Sequence, residues 1–171
     1  VFAGIEGTLP VLVEIQALVA PTALGTARRA VVGWDSGRLA MIIAVLQTRC
    51  GLNLGSHDVY LNVAGGLRIS EPGADLAVAA ALVSAHMDQP LPLRTVVFGE
   101  VGLGGEVRGV GQADARLREA ANLGFERALI PARSNKGKKD TGSLQIAEIA
   151  ELRNLFSQFD VPAKPKAMEA V

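Results

Sequence analysis

The residues with the most chemical potential lie where a predicted strand is followed by a predicted helix. The strand covers residues 58–63, and the segment Glu71-Pro72-Gly73-Ala74-Asp75 opens the helix. The start of a helix offers unpaired N–H groups to a charged or reacting group. Gly73 occupies the position at which a nucleophilic side chain would stand. The segment therefore has the setting of a catalytic site and lacks the residue that would do the chemistry.

Two carboxylates, Asp75 and Asp114, each stand at the start of a predicted helix. Such a pair could serve as general acid and general base. Each could instead complement the positive end of its helix dipole, an effect of about 0.3–1 kcal/mol. Capping is the favoured interpretation, because the sequence supplies no nucleophile or metal ligand to accompany the two carboxylates.

Basic residues concentrate in three places, two of them in glycine-containing segments. The candidate residues for contact with nucleic acid are Arg28, Arg29, Arg68, Lys136, Lys138 and Lys139. Lysine and arginine on flexible segments suit the phosphate backbone, which is recognised through charge and reach. A solvated surface without a partner is the alternative interpretation. Aromatic residues make up only 4% of the chain, so a platform for stacking bases is not indicated.

Composition argues against several classes of function. The 171 residues have a formal net charge of zero, so binding of nucleic acid through overall charge is not expected. One cysteine and two histidines argue against an internal disulfide or a zinc site. The sequence has no P-loop, no secretion signal and no apolar run of the roughly 18–20 residues that span a bilayer. We expect no cofactor, no metal and no membrane contact for this chain.

The hydrophobic pattern predicts an α+β fold in which strands come first and then alternate with helices. The third strand is expected to return antiparallel to the second, and a hairpin is expected to turn at residues 104–105. His86, near the end of the second helix, would complement the dipole there as a cation. Predicted strands cover residues 1–5, 11–19, 28–34, 58–63, 95–99 and 128–131, and predicted helices cover 37–50, 74–87, 112–123 and the later part of 143–159.

The chain is expected to form one domain over residues 1–160, followed by a flexible tail over 161–171. It begins without methionine and directly in strand-like sequence. We therefore expect it to be the C-terminal part of a longer protein.

Two stretches, residues 59–82 and 98–131, resemble the proteolytic domain of Lon proteases. Phe98-Gly99-Glu100 matches the Thr-Gly-Glu of that family, and Leu129-Ile130-Pro131 matches its Leu-Ile-Pro strand. The resemblance implies the fold of the second domain of ribosomal protein S5, with helices packed on a mixed sheet.

In the Lon family a serine nucleophile opens one helix and a lysine base opens a later one. Pro72-Gly73-Ala74-Asp75 and Gly111-Gln112-Ala113-Asp114 match those two motifs. Gly73 stands at the serine position and Asp114 at the lysine position. A Ser–Lys dyad needs a hydroxyl whose proton the lysine takes, so the resemblance implies that peptidase activity is lost.

Six segments carry a closer resemblance that covers about residues 1–160. They are residues 6–10, 13–19, 58–66, 71–77, 99–103 and 105–108. Together they are similar to the Lon-like C-terminal domain of the RadA (Sms) family of bacterial DNA repair proteins.

That resemblance implies a hexameric, ATP-driven motor that promotes branch migration in homologous recombination. The family's zinc finger and RecA-like ATPase are absent from this chain, and ATP, Mg²⁺ and Zn²⁺ would bind there. The expected partners are single-stranded or branched DNA, further copies of the chain and a recombinase of the RecA type, in the bacterial cytoplasm.

For the domain itself, the resemblance implies a non-catalytic scaffold that builds the ring and contributes to DNA binding. A structural collar that does not touch DNA is the alternative. An active Ser–Lys peptidase is the least favoured hypothesis, because Gly73 and Asp114 replace both dyad residues.

Overall fold

The computed structural model describes residues 1–23, 25–132 and 143–159. Within these ranges the chain forms strands, three α-helices and short 3-10 helices. The strands are β1 (Phe2–Glu6), β2 (Leu9–Val13), β3 (Ile15–Pro21), β4 (Arg29–Val32), β5 (His57–Val63), β6 (Thr95–Val97), β7 (Glu100–Val101), β8 (Val107–Arg108), β9 (Arg127–Pro131) and β10 (Gln145–Ile149). The α-helices are α1 (Ser36–Cys50), α2 (Asp75–Met87) and α3 (Ala113–Asn122).

Three separate sheets organise these strands. The largest has the order β10-β9-β6-β1-β2, in which only β2 runs antiparallel to its neighbour. The second has the order β3-β5-β4, and the third is the β7–β8 hairpin. Strands mixed with helices in this way confirm the predicted α+β class in its coarse form. The specific likeness to ribosomal protein S5 stays a prediction.

The predicted strand over residues 11–19 is wrong, because the chain changes sheets at Glu14. A tight turn at Gly7, with a φ of 63°, pairs β2 with β1 as a hairpin of the first sheet. From Ile15 onward, β3 pairs with β5 along its whole length. Two long-range pairings thus divide a stretch whose local pattern is continuous.

The predicted pairing of the third strand is also wrong. β5 lies between β3 and β4, pairing antiparallel with β3 and parallel with β4. β3 pairs with β5 over seven residues, and β4 pairs with the opposite edge of β5, so β3 and β4 are not neighbours. Sequence adjacency alone favoured the hairpin.

Helix α1 is capped at both ends. The side chain of Asp35 accepts a hydrogen bond of 2.7 Å from the Arg38 N–H, and Gly51 ends the helix with a φ of 72°.

Helix α2 is buried on nearly every side and contacts β3 of one sheet and β6 of the other. A helix that is apolar all round belongs in a core. Among the residues that the structure describes, no helix is long and apolar enough to cross a membrane.

The predicted last helix is only partly present. Residues 145–149 form β10, which pairs in parallel with β9, and the helical part is a 3-10 helix over Leu152–Gln158. Ile149 is buried as a strand residue. The tail expected over residues 161–171 lies outside the described residues.

Candidate functional site

The start of α2 is joined to the end of β6, and Gly73 is buried at this junction. A 3-10 turn, Pro72–Ala74, leads into the helix. The carbonyl of Gly73 accepts a hydrogen bond of 2.8 Å from the Gly99 N–H, and the Gly99 carbonyl accepts one of 3.0 Å from Leu76. The backbone at the candidate nucleophile position is therefore fixed from both sides.

The space beside Gly73 is filled by the carboxylate of Glu71. A Cβ added to Gly73 would lie 2.6 Å from Glu71 Oε1, closer than real Cβ atoms approach other atoms. Glu71 Oε2 accepts a hydrogen bond of 3.0 Å from the Ile5 N–H, and Oε1 forms an ion pair with Arg116. A side chain at position 73 would have to displace a carboxylate that is held at both oxygens.

Arg116 is the other half of this arrangement and is only 3% exposed. Its guanidinium donates to the carbonyls of Ala3 at 2.8 Å and Gly111 at 3.0 Å. It also lies 5.5 Å from the ring centroid of Phe98, within cation–π range. Arg116 thereby ties α3 to β1 and to the segment before α2.

Sequence reasoning missed both Glu71 and Arg116 as site residues. For Arg116 a signal exists, because it shares a helical stripe with Ala113, Leu117 and Ala120, and the latter two are buried. An arginine on an apolar stripe has to find partners in the core. For Glu71 no local signal distinguishes it from an exposed residue before a helix.

Asp75 lies fully buried at the first position of α2. Its two oxygens bind the Arg38 guanidinium at 2.9 and 2.5 Å, and Oδ2 also accepts from the Val101 N–H at 3.1 Å. The hydrogen bond to Asp75 is the main reason that the pKa of Arg38 is raised. These contacts join α1, α2 and β7, which favours a structural role over the general-acid alternative.

Asp114 lies in the first turn of α3 and is partly exposed. The structure brings the two motif segments together, because Glu71 and Arg116, each two residues from Gly73 and Asp114, form an ion pair. The positions expected for a dyad therefore belong to adjoining segments, joined by a buried pair of charges.

The predicted DNA-contacting residues are not all in one place. Arg29 donates to the carbonyls of Leu54 at 2.9 Å and of Arg28 at 3.0 Å, and also to that of His57, so its guanidinium already holds a loop. Arg28 is exposed.

Arg68 is exposed as well and lines a cleft of about 310 Å³ between the β1–β2 hairpin and residues 67–71. The Gly33 carbonyl, just past the far end of β4, accepts from the Ile69 N–H. The backbone of Arg29 is at one end of β4, and the backbone beside Arg68 is at the other end. Positions 29 and 33 are about 13 Å apart along the strand. Lys136, Lys138 and Lys139 lie outside the described residues.

The two histidines meet where β5 begins and α2 ends. The rings of His57 and His86 are 5.1 Å apart in an edge-to-face arrangement. Burial, together with His57, lowers the pKa of His86. The lowered pKa disfavours the cationic form of His86 that was expected at the helix end. Within residues 1–23, 25–132 and 143–159, no three potential metal ligands cluster.

Comparison with known proteins yields relatives along most of the chain. It is 60% identical over 158 residues to the DNA repair protein RadA of Brucella abortus, a match that covers 92% of this chain and 34% of that protein. The RadA proteins of Rickettsia bellii and Escherichia coli are 50% and 47% identical over 155 residues, covering 91% of this chain and 34% of each protein. These matches confirm the resemblance to RadA, and the chain spans about a third of the length of these relatives.

A family model described as subunit ChlI of Mg-chelatase matches residues 19–134, about two thirds of the chain. The matched range runs from β3 to the end of β9 and so includes Gly73, Asp75, Asp114 and Arg116. The chain therefore belongs to the family that this model describes, and it is similar in sequence to bacterial DNA repair proteins named RadA.

Proposed function

We propose that this chain is a non-catalytic domain of an ATP-driven DNA repair protein, in which it builds a hexameric ring and contributes to DNA binding. The observation that carries the repair role is the 60% identity with a DNA repair protein over 92% of the chain. Zinc binding, ATP hydrolysis and branch migration then belong to the part of the parent protein outside this chain. The setting is the bacterial cytoplasm, and a RecA-type recombinase is the partner.

The non-catalytic part of the proposal is supported by the contacts around Gly73. A nucleophile there would need the space that the Glu71 carboxylate occupies. The Asp75 carboxylate is bonded to Arg38 and Val101. A general base needs a free oxygen within reach of a reacting hydroxyl, and both oxygens of Asp75 already accept hydrogen bonds.

DNA contact in this proposal is electrostatic and uses Arg28, Arg29 and Arg68, with Lys136, Lys138 and Lys139. The test is fluorescence anisotropy of the 171-residue chain with single-stranded and duplex oligonucleotides across a salt series. We expect affinity to fall steeply with salt. Replacing the three lysines with alanine should weaken binding to all sequences and flatten the salt slope.

The matched control is Arg94→Ala. Arg94 is exposed and forms an ion pair with Glu126, and it is not one of the predicted residues. An equal loss of affinity in this control would mean that binding reflects charge alone. No binding even at low salt would refute DNA contact by this chain.

A collar without DNA contact is the second candidate. It is favoured by the bonding of Arg29 to three carbonyls and by its distance from Arg68. Mass measurement in the same buffer separates the candidates. A ring-sized mass without DNA binding supports the collar, and a ring-sized mass with salt-sensitive binding supports the first proposal.

A further inference from the structure

The outer face of the β3-β5-β4 sheet is uncovered by any other element among the described residues. Helix α2 packs against the other face of this sheet. Tyr60 lies at the centre of the outer face and is 37% exposed. Leu18 and Ala30 stand directly opposite it on the two flanking strands, and Val32 is diagonal to it. Leu18 and Val32 are about 60% exposed, so exposed apolar side chains flank the ring on both neighbouring strands.

Polar groups border this apolar surface. Beside Tyr60 on the same strand, Asn62 donates a hydrogen bond of 3.1 Å to Gln16, which leaves amide groups at the edge of the surface. At the other end, Arg28 is exposed next to Asp58. Asp58 already accepts hydrogen bonds from the Arg28 N–H at 2.8 Å and the Thr22 hydroxyl at 2.9 Å. The Arg28 amide is the main cause of the lowered pKa of Asp58.

The size of the surface favours one kind of partner. Its apolar part is one row of side chains across three strands, about 10 Å wide. Val32 extends it into the next row, whose other members are Gln16 and Asn62. A stable protein interface buries about 800 Å² on each partner, far more than this area. One or two nucleobases match it, because every base offers a flat apolar face and ring edges that bond to amides. The guanidinium of Arg28 supplies the positive charge that a neighbouring phosphate requires.

We propose that this face, centred on Tyr60, stacks the bases of single-stranded DNA, with Arg28 contacting the phosphate backbone. The inference rests on the proposed function, because it gives that DNA contact a location and a preference for single strands. Aromatic residues are few in the sequence, yet the fold places the single tyrosine of the chain on its uncovered sheet face.

The single tyrosine makes the test specific. In the 171-residue chain made with 3-fluorotyrosine, the fluorine spectrum has one resonance, from Tyr60. Titration with oligothymidylate of about 16 nucleotides should shift it saturably. A duplex of equal length should leave it in place, because paired bases cannot stack on the ring. Anisotropy in the same samples reports total binding.

Each outcome has a distinct meaning. Binding by anisotropy without a fluorine shift would overturn stacking and leave the proposed DNA contact intact. No binding in either measurement would overturn both. A fluorine shift that depends on protein concentration without DNA would mark the face as a contact between copies of the chain and overturn the proposal.

Variants provide the second measurement. Tyr60→Ala should weaken binding of the single strand about 5- to 20-fold, and Tyr60→Phe should retain it, because the ring is kept. Leu123→Ala is the matched control, since Leu123 is 59% exposed elsewhere on the surface. Equal affinity of Tyr60→Ala and the control for oligothymidylate would contradict the proposal.

Discussion

Two regions of this molecule differ in whether their side chains are buried with partners or exposed to solvent. At the start of α2, the charged side chains Glu71, Asp75 and Arg116 lie mostly inside the protein. Glu71 pairs with Arg116, and Asp75 pairs with Arg38. On the outer face of the β3-β5-β4 sheet, Leu18 and Tyr60 are left open to solvent. The first region has the position of an active site and is filled. The second has no catalytic residues and is free to bind.

The difference shows that the position matching the Lon-family nucleophile is occupied by other polar groups. A glycine at the start of a helix could leave a pocket there. Instead the Glu71 carboxylate enters that space, and Arg116 and the Ile5 N–H hold it there. Charges kept in a core require such partners, so removing one partner at this helix start should destabilise the fold.

The largest expected effect comes from breaking the filled region. Arg116→Ala removes the partner of Glu71 and the donor to the carbonyls of Ala3 and Gly111. It should lower the free energy of unfolding by about 3–5 kcal/mol, the usual effect of leaving one member of a buried pair alone. Urea denaturation followed by circular dichroism measures this.

Arg118→Ala is its matched control, two residues along the same helix and exposed. It should change stability by no more than about 0.5 kcal/mol. A similar small change for Arg116→Ala would show that the buried pair contributes little to the free energy of unfolding. The two regions would then not differ in stability.

The second prediction refills the position of the nucleophile. Gly73→Ser should lower stability by about 1–3 kcal/mol, because the new side chain must displace a tethered carboxylate. It should give no cleavage of unfolded casein. In a Glu71→Ala background the same substitution should have a smaller effect, and the difference measures the coupling between the two positions.

Gly109→Ser is the control for this substitution, because a Cβ at Gly109 meets no atom within 4 Å. Its effect on stability should be within about 0.5 kcal/mol. Casein cleavage by Gly73→Ser would contradict the view that the site is filled.

The parts of this fold that follow from local signals were predictable from the sequence. Helix α1 has a capping Asp35 and a terminal Gly51, and both act within a few residues. The parts that depend on distant pairing were not. Residues 145–149 carry a helix-like pattern, yet they pair with β9 as a strand. The break at Glu14 has the same origin. The residues before it pair with β1, and the residues after it pair with β5.

The candidate site shows the same limit. Gly73 and Asp114 could be found because the motifs around them are contiguous. The ion pair that fills the site joins residues 45 positions apart in sequence, Glu71 and Arg116, which no local pattern connects. The uncovered sheet face was equally hidden, because Leu18, Ala30 and Tyr60 become neighbours only through the strand order β3-β5-β4.

A third prediction concerns the histidine pair between β5 and α2. In the folded state the pKa of His86 is lowered by burial and by His57. In the unfolded state the pKa of a histidine is about 6.5. The unfolded state therefore binds more protons, and stability should fall as pH drops below about 6.5. His86→Gln should flatten that dependence. Urea midpoints at several pH values, with proton NMR titration of the two histidines, measure both effects.

His57→Ala should move the pKa of His86 only part of the way back, because burial is the larger cause. If stability instead rises on acidification through this range, the pair does not oppose protonation.

The smallest expected effect is on stability when the open face is changed. Tyr60 is 37% exposed, and its removal leaves no buried group without a partner, so Tyr60→Ala should alter the free energy of unfolding by less than about 1 kcal/mol. The same variant should lose affinity for single-stranded DNA, whereas Arg116→Ala should lose stability first. Urea denaturation measures the stability of both variants, and anisotropy measures their affinity for single-stranded DNA. A large stability loss in Tyr60→Ala would show that the face is part of the folded framework, because a surface kept free for a partner contributes little to folding until that partner binds.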